Sequence, residues 1–230
     1  MADQVLDKID FSDRSTKLAL VSLALVGTYQ IGTTSLMYLK SLVKYFILPA
    51  KDHMKRYGGG WALITGASDG LGKAYALELA REGFNIILLS RSMDKTSKVA
   101  QEIAAEYKVK TKALAFDFGK LDTVEAAEQL RDLIETETKD LDISILINNV
   151  GALNLQLLED ETISDVHRLL TVNVNAQSLM TLFIVPRLLA RESRSAIIDL
   201  SSKAAFYNRP VMPMYCATKS YNFGFSQACR

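Results

Sequence analysis

Five short, continuously apolar runs constrain the fold of this chain most: WALIT at 61–65, NIILLS at 85–90, ALAF at 113–116, ISILI at 143–147 and AIIDL at 196–200. A strand with one wet face alternates apolar and polar residues, whereas a strand covered on both faces does not. Between the runs lie stretches of helical periodicity at roughly 71–82, 94–107, 122–137 and 162–192. Strand alternating with helix calls for parallel strands joined by right-handed crossovers, since a tight hairpin cannot link parallel neighbours. The expectation is a doubly wound parallel α/β sheet, with ligands bound at the carboxyl ends of its strands.

Polar and glycine residues collect at those ends. TGASDGLG follows the first run, and Gly66, Gly70 and Gly72 give the spacing G-x-x-x-G-x-G. Glycine lets backbone approach a pyrophosphate closely, and the helix opening behind it presents N-terminal amides to an anion. A plain strand-to-helix turn is the alternative. After the second run the chain reads Ser90-Arg91, where an acid would hold a ribose 2′-hydroxyl. A cation there matches a 2′-phosphate and favours NADP(H) over NAD(H), unless Arg91 is simply an exposed loop residue. Asp117 closes the third run and suits either an adenine amino group or a helix N-cap.

The fourth run ends in INNVG, placing Asn148, Asn149 and Gly151 where the sheet meets a cofactor, and the fifth ends in Ser201 and Ser202. Tyr215 and Lys219 follow, spaced i, i+4 and therefore on one helical face. An ammonium within a helical turn of a phenol favours the ionised form, which fits the phenol for proton transfer near neutral pH. The same amine reaches a ribose hydroxyl, and a serine hydroxyl donates to a carbonyl oxygen on which charge develops. Alone, a tyrosine and lysine four apart would read as packing. The glycine turn, Arg91, NNVG, Ser202 and the Tyr-Lys pair, in that order, point instead to one site.

Together TGASDGLG, NNVG, Ser202 and YCATK resemble the short-chain dehydrogenase/reductase family, from about Trp61 to Arg230. The resemblance implies a Rossmann sheet and hydride exchange between a nicotinamide and a carbonyl/alcohol pair. It implies Tyr215 as general acid/base, Lys219 as its tuning and ribose-binding partner, and Ser202 as carbonyl orienter. Asn173, in LTVNVNAQS, matches the residue that holds a relay water, or else is a mid-helix asparagine packed for structure. Cofactor contacts would come from Gly66, Ser68, Asp69, Gly70, Leu71, Gly72, Arg91, Asp117, Asn148, Gly151, Tyr215 and Lys219. FILPAKDHMKRYGGG, continuing G-K-A-Y-A after the glycine turn, is similar to the membrane-anchored very-long-chain 3-oxoacyl-CoA reductases and the related 17-beta-hydroxysteroid dehydrogenases. These imply NADPH, an acyl-CoA or steroid carbonyl substrate, and a catalytic domain at the cytosolic face of the endoplasmic reticulum. By analogy the long helix at 162–192 offers a homodimer surface.

The charge-free stretch LALVSLALVGTYQIGTTSLMYL lies between Lys17 and Lys40 and, at ~1.5 Å per residue, covers a hydrocarbon layer of ~30 Å. Gln30, Thr33, Thr34 and Ser35 leave a buried or membrane-surface helix as the alternative to a span. Asp3, Asp7, Asp10 and Asp13 stand where a cleavable leader carries basic residues, so the segment is expected to stay. Lys40, Lys44, Lys51, Lys55 and Arg56 follow it and send the rest of the chain to the cytosol. The patch LVKYFILPA lies at the interface before Pro49 ends the helix, and Gly58, Gly59 and Gly60 read as a flexible joint. Residues 1–57 therefore form tail, anchor and basic linker, and 58–230 the nucleotide-binding domain.

The 27 basic and 26 acidic side chains nearly cancel, which leaves no field to recruit nucleic acid. His53 and His167 stand alone, and Cys216 and Cys229 lack ligand spacing, so no metal site is proposed. Family members continue past the Tyr-Lys helix with further strands, a nicotinamide-covering loop and a substrate-covering helix. The resemblance thus implies a domain incomplete at its C-terminus, with the fifth strand at an unpaired edge. Lys203, beside Ser202 where small residues are usual, is expected to crowd the carbonyl site. Two readings stay open: an NADPH-dependent membrane reductase and a catalytically silent nucleotide-binding or interaction protein.

Overall fold

A computed structural model of the chain describes residues 13–47 and 52–229, in two compact units that divide between Lys51 and Asp52. Asp3, Asp7, Asp10, Pro49 and Lys51 lie outside the described residues.

The first unit is helix α1, Arg14–Leu42, whose end widens into a π-helical turn over Val43–Ile47. Asp13 caps it, its carboxylate accepting from the backbone N–H groups of Ser15 and Thr16 at 2.9 and 3.1 Å. No residue of the helix is buried, and the 34 residues of helix and π-helical turn, Arg14–Ile47, are long and apolar enough to cross a membrane. Ser22, Thr33 and Ser41 donate to the carbonyls of Leu18, Gln30 and Met37 at 2.9, 3.0 and 3.0 Å. Their hydroxyls thus find partners within the helix itself, as a low-dielectric setting demands.

The second unit holds the sheet. Its strands are β1 Trp61–Thr65, β2 Asn85–Ser90, β3 Thr111–Ala115, β4 Ile143–Asn148 and β5 Ala196–Asp199, all parallel in the order β3-β2-β1-β4-β5. Its helices are α2 His53–Tyr57, α3 Gly70–Arg81, α4 Met93–Tyr107, α5 Val124–Thr138, α6 Ile163–Leu170, α7 Ala176–Leu189 and α8 Pro213–Ala228. Side chains alternate across the sheet: Ile64, Ile86, Leu88 and Ile147 pack in one core with Leu79 of α3 and Ile103 of α4. Leu63, Ile87, Leu89 and Leu146 fill the other, with Ile134 of α5 and Met180 of α7. Helices on both faces explain why the strands carry no wet side, and β1, β2 and β4 are buried almost throughout. The edge strands β3 and β5, each with a single neighbour, are only partly buried.

Three features depart from the sequence reading. The stretch 162–192 is not one α-helix, because a π-helical turn over Thr171–Asn175 separates α6 from α7. The glycines read as a loose joint form a built turn, with φ of 69°, 70° and 97° at Gly58, Gly59 and Gly60. Gly58 ends α2, and a Cβ at Gly60 would meet the Asp142 carbonyl at 2.6 Å. Helix α2 belongs to the domain and not to a linker: Met54 and Tyr57 pack on the core, and His53 Nδ1 pairs with Glu82 at 2.8 Å.

The loop into β4 is fixed by Arg187 of α7. Its Nη1 donates to Thr138 Oγ1 at 2.6 Å, and its Nη2 to the carbonyls of Thr138 and Leu141, both at 2.7 Å. The Thr138 carbonyl, the last of α5, also accepts the Leu141 N–H at 3.0 Å, so Arg187 is a second donor there and a side-chain partner for the Leu141 carbonyl in the loop beyond. Arg187→Met keeps the aliphatic stem but removes these three bonds and leaves the Leu141 carbonyl without its side-chain donor, so an expected loss of about 2 kcal/mol should appear in denaturant unfolding; an unchanged midpoint would refute this bracing role.

Candidate active site

The glycine turn is held open from below. Gly66 and Gly70 have φ of 65° and 55°, a region that favours glycine, and Asp69 caps α3 by accepting from the Gly70 N–H at 2.7 Å. A Cβ at Gly72 would enter the space of the Gly66 carbonyl and the Asn149 amide, and a Cβ at Gly66 would sit 2.9 Å from Asn149 Nδ2. Asn149 Nδ2 donates to the carbonyls of Thr65 and Gly66 at 2.8 and 3.1 Å. The N–H groups of Asn149 and Val150 donate to Thr65 Oγ1 at 3.0 and 3.1 Å. From β2, Ser90 Oγ accepts the Ser68 N–H at 3.0 Å. Thr65 and Ser90 were not singled out as site residues, although each is the polar end of an otherwise apolar run. Leu71 is exposed on the first turn of α3.

Beside this turn runs a groove of about 370 Å³ whose walls include Gly66, Ser68, Arg91, Asp117 and Gly151. A neighbouring hollow of about 690 Å³ shares Arg91, Asp117 and Arg168 and adds Lys120 and His167, so that Arg91, Lys120 and Arg168 outnumber the one carboxylate in its wall. Asp117 combines both sequence readings. Its Oδ1 accepts the Gly119 N–H at 3.1 Å, capping the short 3-10 turn Phe118–Lys120, while the residue lines the groove.

At the other end, the π-helical turn presents Asn173, which is buried. Its Oδ1 accepts the Ala152 N–H at 2.7 Å, and its Nδ2 donates to the Ala152 carbonyl at 2.9 Å and Thr218 Oγ1 at 3.0 Å. Its backbone carbonyl accepts from Asn222 Nδ2 at 2.7 Å. The Asn173 side chain is thus engaged within the protein on both its oxygen and its nitrogen. Gly151 fits between groups: a Cβ there would lie 3.4 Å from both Asn173 Oδ1 and Lys219 Nζ.

Lys219 is 5% exposed, and its Nζ donates to the Leu200 carbonyl at 2.9 Å, 5.8 Å from the centroid of the Tyr215 ring. No carboxylate pairs with it among the described residues. Burial therefore pushes its pKa below the ordinary lysine value. Ser201 Oγ donates to the Lys219 carbonyl at 2.7 Å, tying the end of β5 to α8. Ser202 Oγ accepts the Ala204 N–H at 3.1 Å and so opens the 3-10 turn Lys203–Ala205, on which Lys203 is exposed.

Asn148 faces away from the groove. It is buried, and its Nδ2 donates to Thr181 Oγ1 at 3.0 Å and Asp199 Oδ1 at 2.8 Å, on the α7 side of the sheet. Successive strand residues face opposite ways, so Asn149, which braces the glycine turn, commits its predecessor to the other face.

A short chain dehydrogenase family model matches residues 60–230. A very-long-chain 3-oxoacyl-CoA reductase of Lodderomyces elongisporus is 35% identical over 97% of this chain, which spans 66% of that relative's length. One of Bos taurus is 35% identical over 86% of the chain, matching 65% of its own length. A short-chain dehydrogenase from Sphingobium yanoikuyae, solved in complex with NADPH, superposes with a TM-score of 0.64 at 30% identity. That match covers 73% of this chain and 63% of the solved one.

The buried amine carries a signed consequence. Because the folded pKa of Lys219 is lowered, the unfolded chain holds this proton more tightly, and unfolding takes up a proton in the alkaline window between the lowered and ordinary values. Stability in that window should rise with pH more steeply for the wild type than for Lys219→Met, as read from urea midpoints across an alkaline pH series; parallel curves would contradict the burial of a titrating amine.

Proposed function

The chain belongs to the short-chain dehydrogenase family, and from that membership we propose that it serves NADPH-dependent reduction of a lipid-like carbonyl, a 3-oxoacyl-CoA becoming a 3-hydroxyacyl-CoA in very-long-chain fatty acid elongation. The observation that carries the proposal is the buried Lys219 amine beside the Tyr215 ring, on the helix that follows β5. Relatives named for this reaction supply the substrate class.

The residues present fit the dinucleotide. The cradle at Gly66 and Gly72, which a Cβ at either position would fill, leaves room for a pyrophosphate against the start of α3. Arg91 on the groove wall suits a 2′-phosphate, and Ser68, Asp69, Gly70, Leu71, Asp117 and Gly151 complete the proposed contacts. Bound there, the cofactor supplies the hydride. Tyr215 gives its proton to the carbonyl oxygen, and the Ser202 hydroxyl donates to that oxygen to orient it. Lys219 holds the ribose hydroxyls and keeps positive charge near the phenol oxygen as its proton leaves. Asn173 fixes the loop after β4 through Ala152, and to it the proposal assigns the relay water.

We place α1 across the endoplasmic reticulum membrane. Its apolar length and internally bonded hydroxyls support this, and Lys40, Lys44, Lys55 and Arg56 favour a cytosolic catalytic domain.

The test follows NADPH oxidation by the full chain in detergent with 3-oxohexadecanoyl-CoA. Tyr215→Phe should lower kcat by about 10²-fold or more, whereas cofactor affinity, held mainly by the glycine turn and Arg91, should fall far less. Cofactor binding without turnover in the wild type would favour the silent nucleotide-binding reading instead.

A further inference from the structure

The segment from Gly151 to Asp160 reverses the usual economy of burial. Leu153, Leu155 and Leu157 are 48%, 65% and 38% exposed, whereas Asn154 and Gln156 between them are partly buried. The inward amides are bonded: Asn154 Nδ2 donates to Gln156 Oε1 at 2.8 Å and to Glu161 Oε2 at 3.0 Å, and Arg168 Nη2 donates to Asn154 Oδ1 at 2.8 Å. Exposure alternates with the period of an extended chain, and Leu157 itself is extended, at φ −68° and ψ 158°. A polar network thus holds three leucines outward, although turning them in would be the ordinary way to gain stability.

The row starts beside the reacting groups. Ala152, which precedes Leu153, is held at both its N–H and its carbonyl by Asn173, and a Cβ at Gly151 would lie 3.4 Å from Lys219 Nζ. Successive leucines of an extended chain are about 6–7 Å apart, so the row forms a strip roughly 13 Å long and one side chain wide. That is narrow for a protein partner, which needs about 800 Å² on each side. It is also unsuited to an anionic bilayer surface, since Glu159, Asp160 and Glu161 follow directly. The turn after Ser202 adds exposed apolar surface at Phe206 and Tyr207, 61% and 67% exposed, on the segment of chain between Ser202 and Tyr215. A single alkyl chain leading away from a carbonyl at Tyr215 has the matching shape and chemistry.

We infer that Leu153, Leu155 and Leu157 form the track on which the substrate's alkyl chain lies, so that acyl length is read by this row. The inference rests on the proposed carbonyl reduction for where the chain begins. It is tested on the full protein with 3-oxobutanoyl-, 3-oxodecanoyl- and 3-oxohexadecanoyl-CoA, measuring kcat/KM, and in parallel with saturated acyl-CoAs of the same lengths, measuring Kd. Wild-type kcat/KM and affinity should both rise with length. The triple variant Leu153→Asn, Leu155→Asn, Leu157→Asn should flatten both slopes, losing roughly tenfold or more with the longest chain. Val124→Asn, an equally exposed exchange at the start of α5, should leave both slopes as they are. Equal slopes in wild type and triple variant would overturn the inference, and so would a change confined to vesicle binding or oligomeric state. If no 3-oxoacyl-CoA is reduced, the reductase reading fails, and the Kd slopes still decide for or against the track.

Discussion

An amine buried with no carboxylate beside it among the described residues is the demand around which the β5–α8 end of this domain is arranged. Lys219 brings three donors into the interior, and one of them is met by the Leu200 carbonyl just after β5. That bond needs β5 and α8 in register with one another, which the Ser201 bond to the Lys219 carbonyl supplies from the opposite direction. It also needs the loop after β4 to pass close by without a side chain, hence Gly151. The π-helical turn at Asn173 then locks that loop through Ala152 and reaches α8 through Thr218 and Asn222. Three separate elements converge on one amine, and Tyr215, one helical turn before it, is placed by the same convergence.

The nucleotide end is built on a different principle, an absence of side chains guarded by polar braces. Gly66 and Gly72 leave a cavity that any Cβ would fill, and such a turn would collapse if nothing held it. Thr65, Asn149 and Ser90 hold it, each from the carboxyl end of a central strand. The two ends therefore share one platform, the sheet buried on both faces, and its rigidity fixes the distance between phosphate cradle and amine.

Much of this was legible in the chain because it depends on local pattern. Continuous apolar runs revealed the strands, since β1, β2 and β4 are covered on both sides. The glycine spacing and the i, i+4 pair exposed both ends of the site. What escaped depends on facts that pattern does not carry. One extra residue in a helical turn leaves the apolar period of 162–192 almost intact, so the π-helical turn at Asn173 was hidden. Asn148 and Asn149 look equivalent in sequence, and only the pleat of β4 assigns one to α7 and the other to the glycine turn. Three glycines suggested looseness, yet the contacts of Gly60 with Asp142 make them a fixed corner. The leucines after Gly151 resembled any apolar loop until their exposure set them against their polar neighbours.

The most direct measurement is a titration of the full chain with NADPH, and separately with NADH, following the emission of the reduced nicotinamide. A preformed cradle walled by Arg91 predicts saturable one-to-one binding that is markedly weaker when the 2′-phosphate is missing. No saturable binding of either dinucleotide, or equal binding of both, would contradict a site organised for this cofactor.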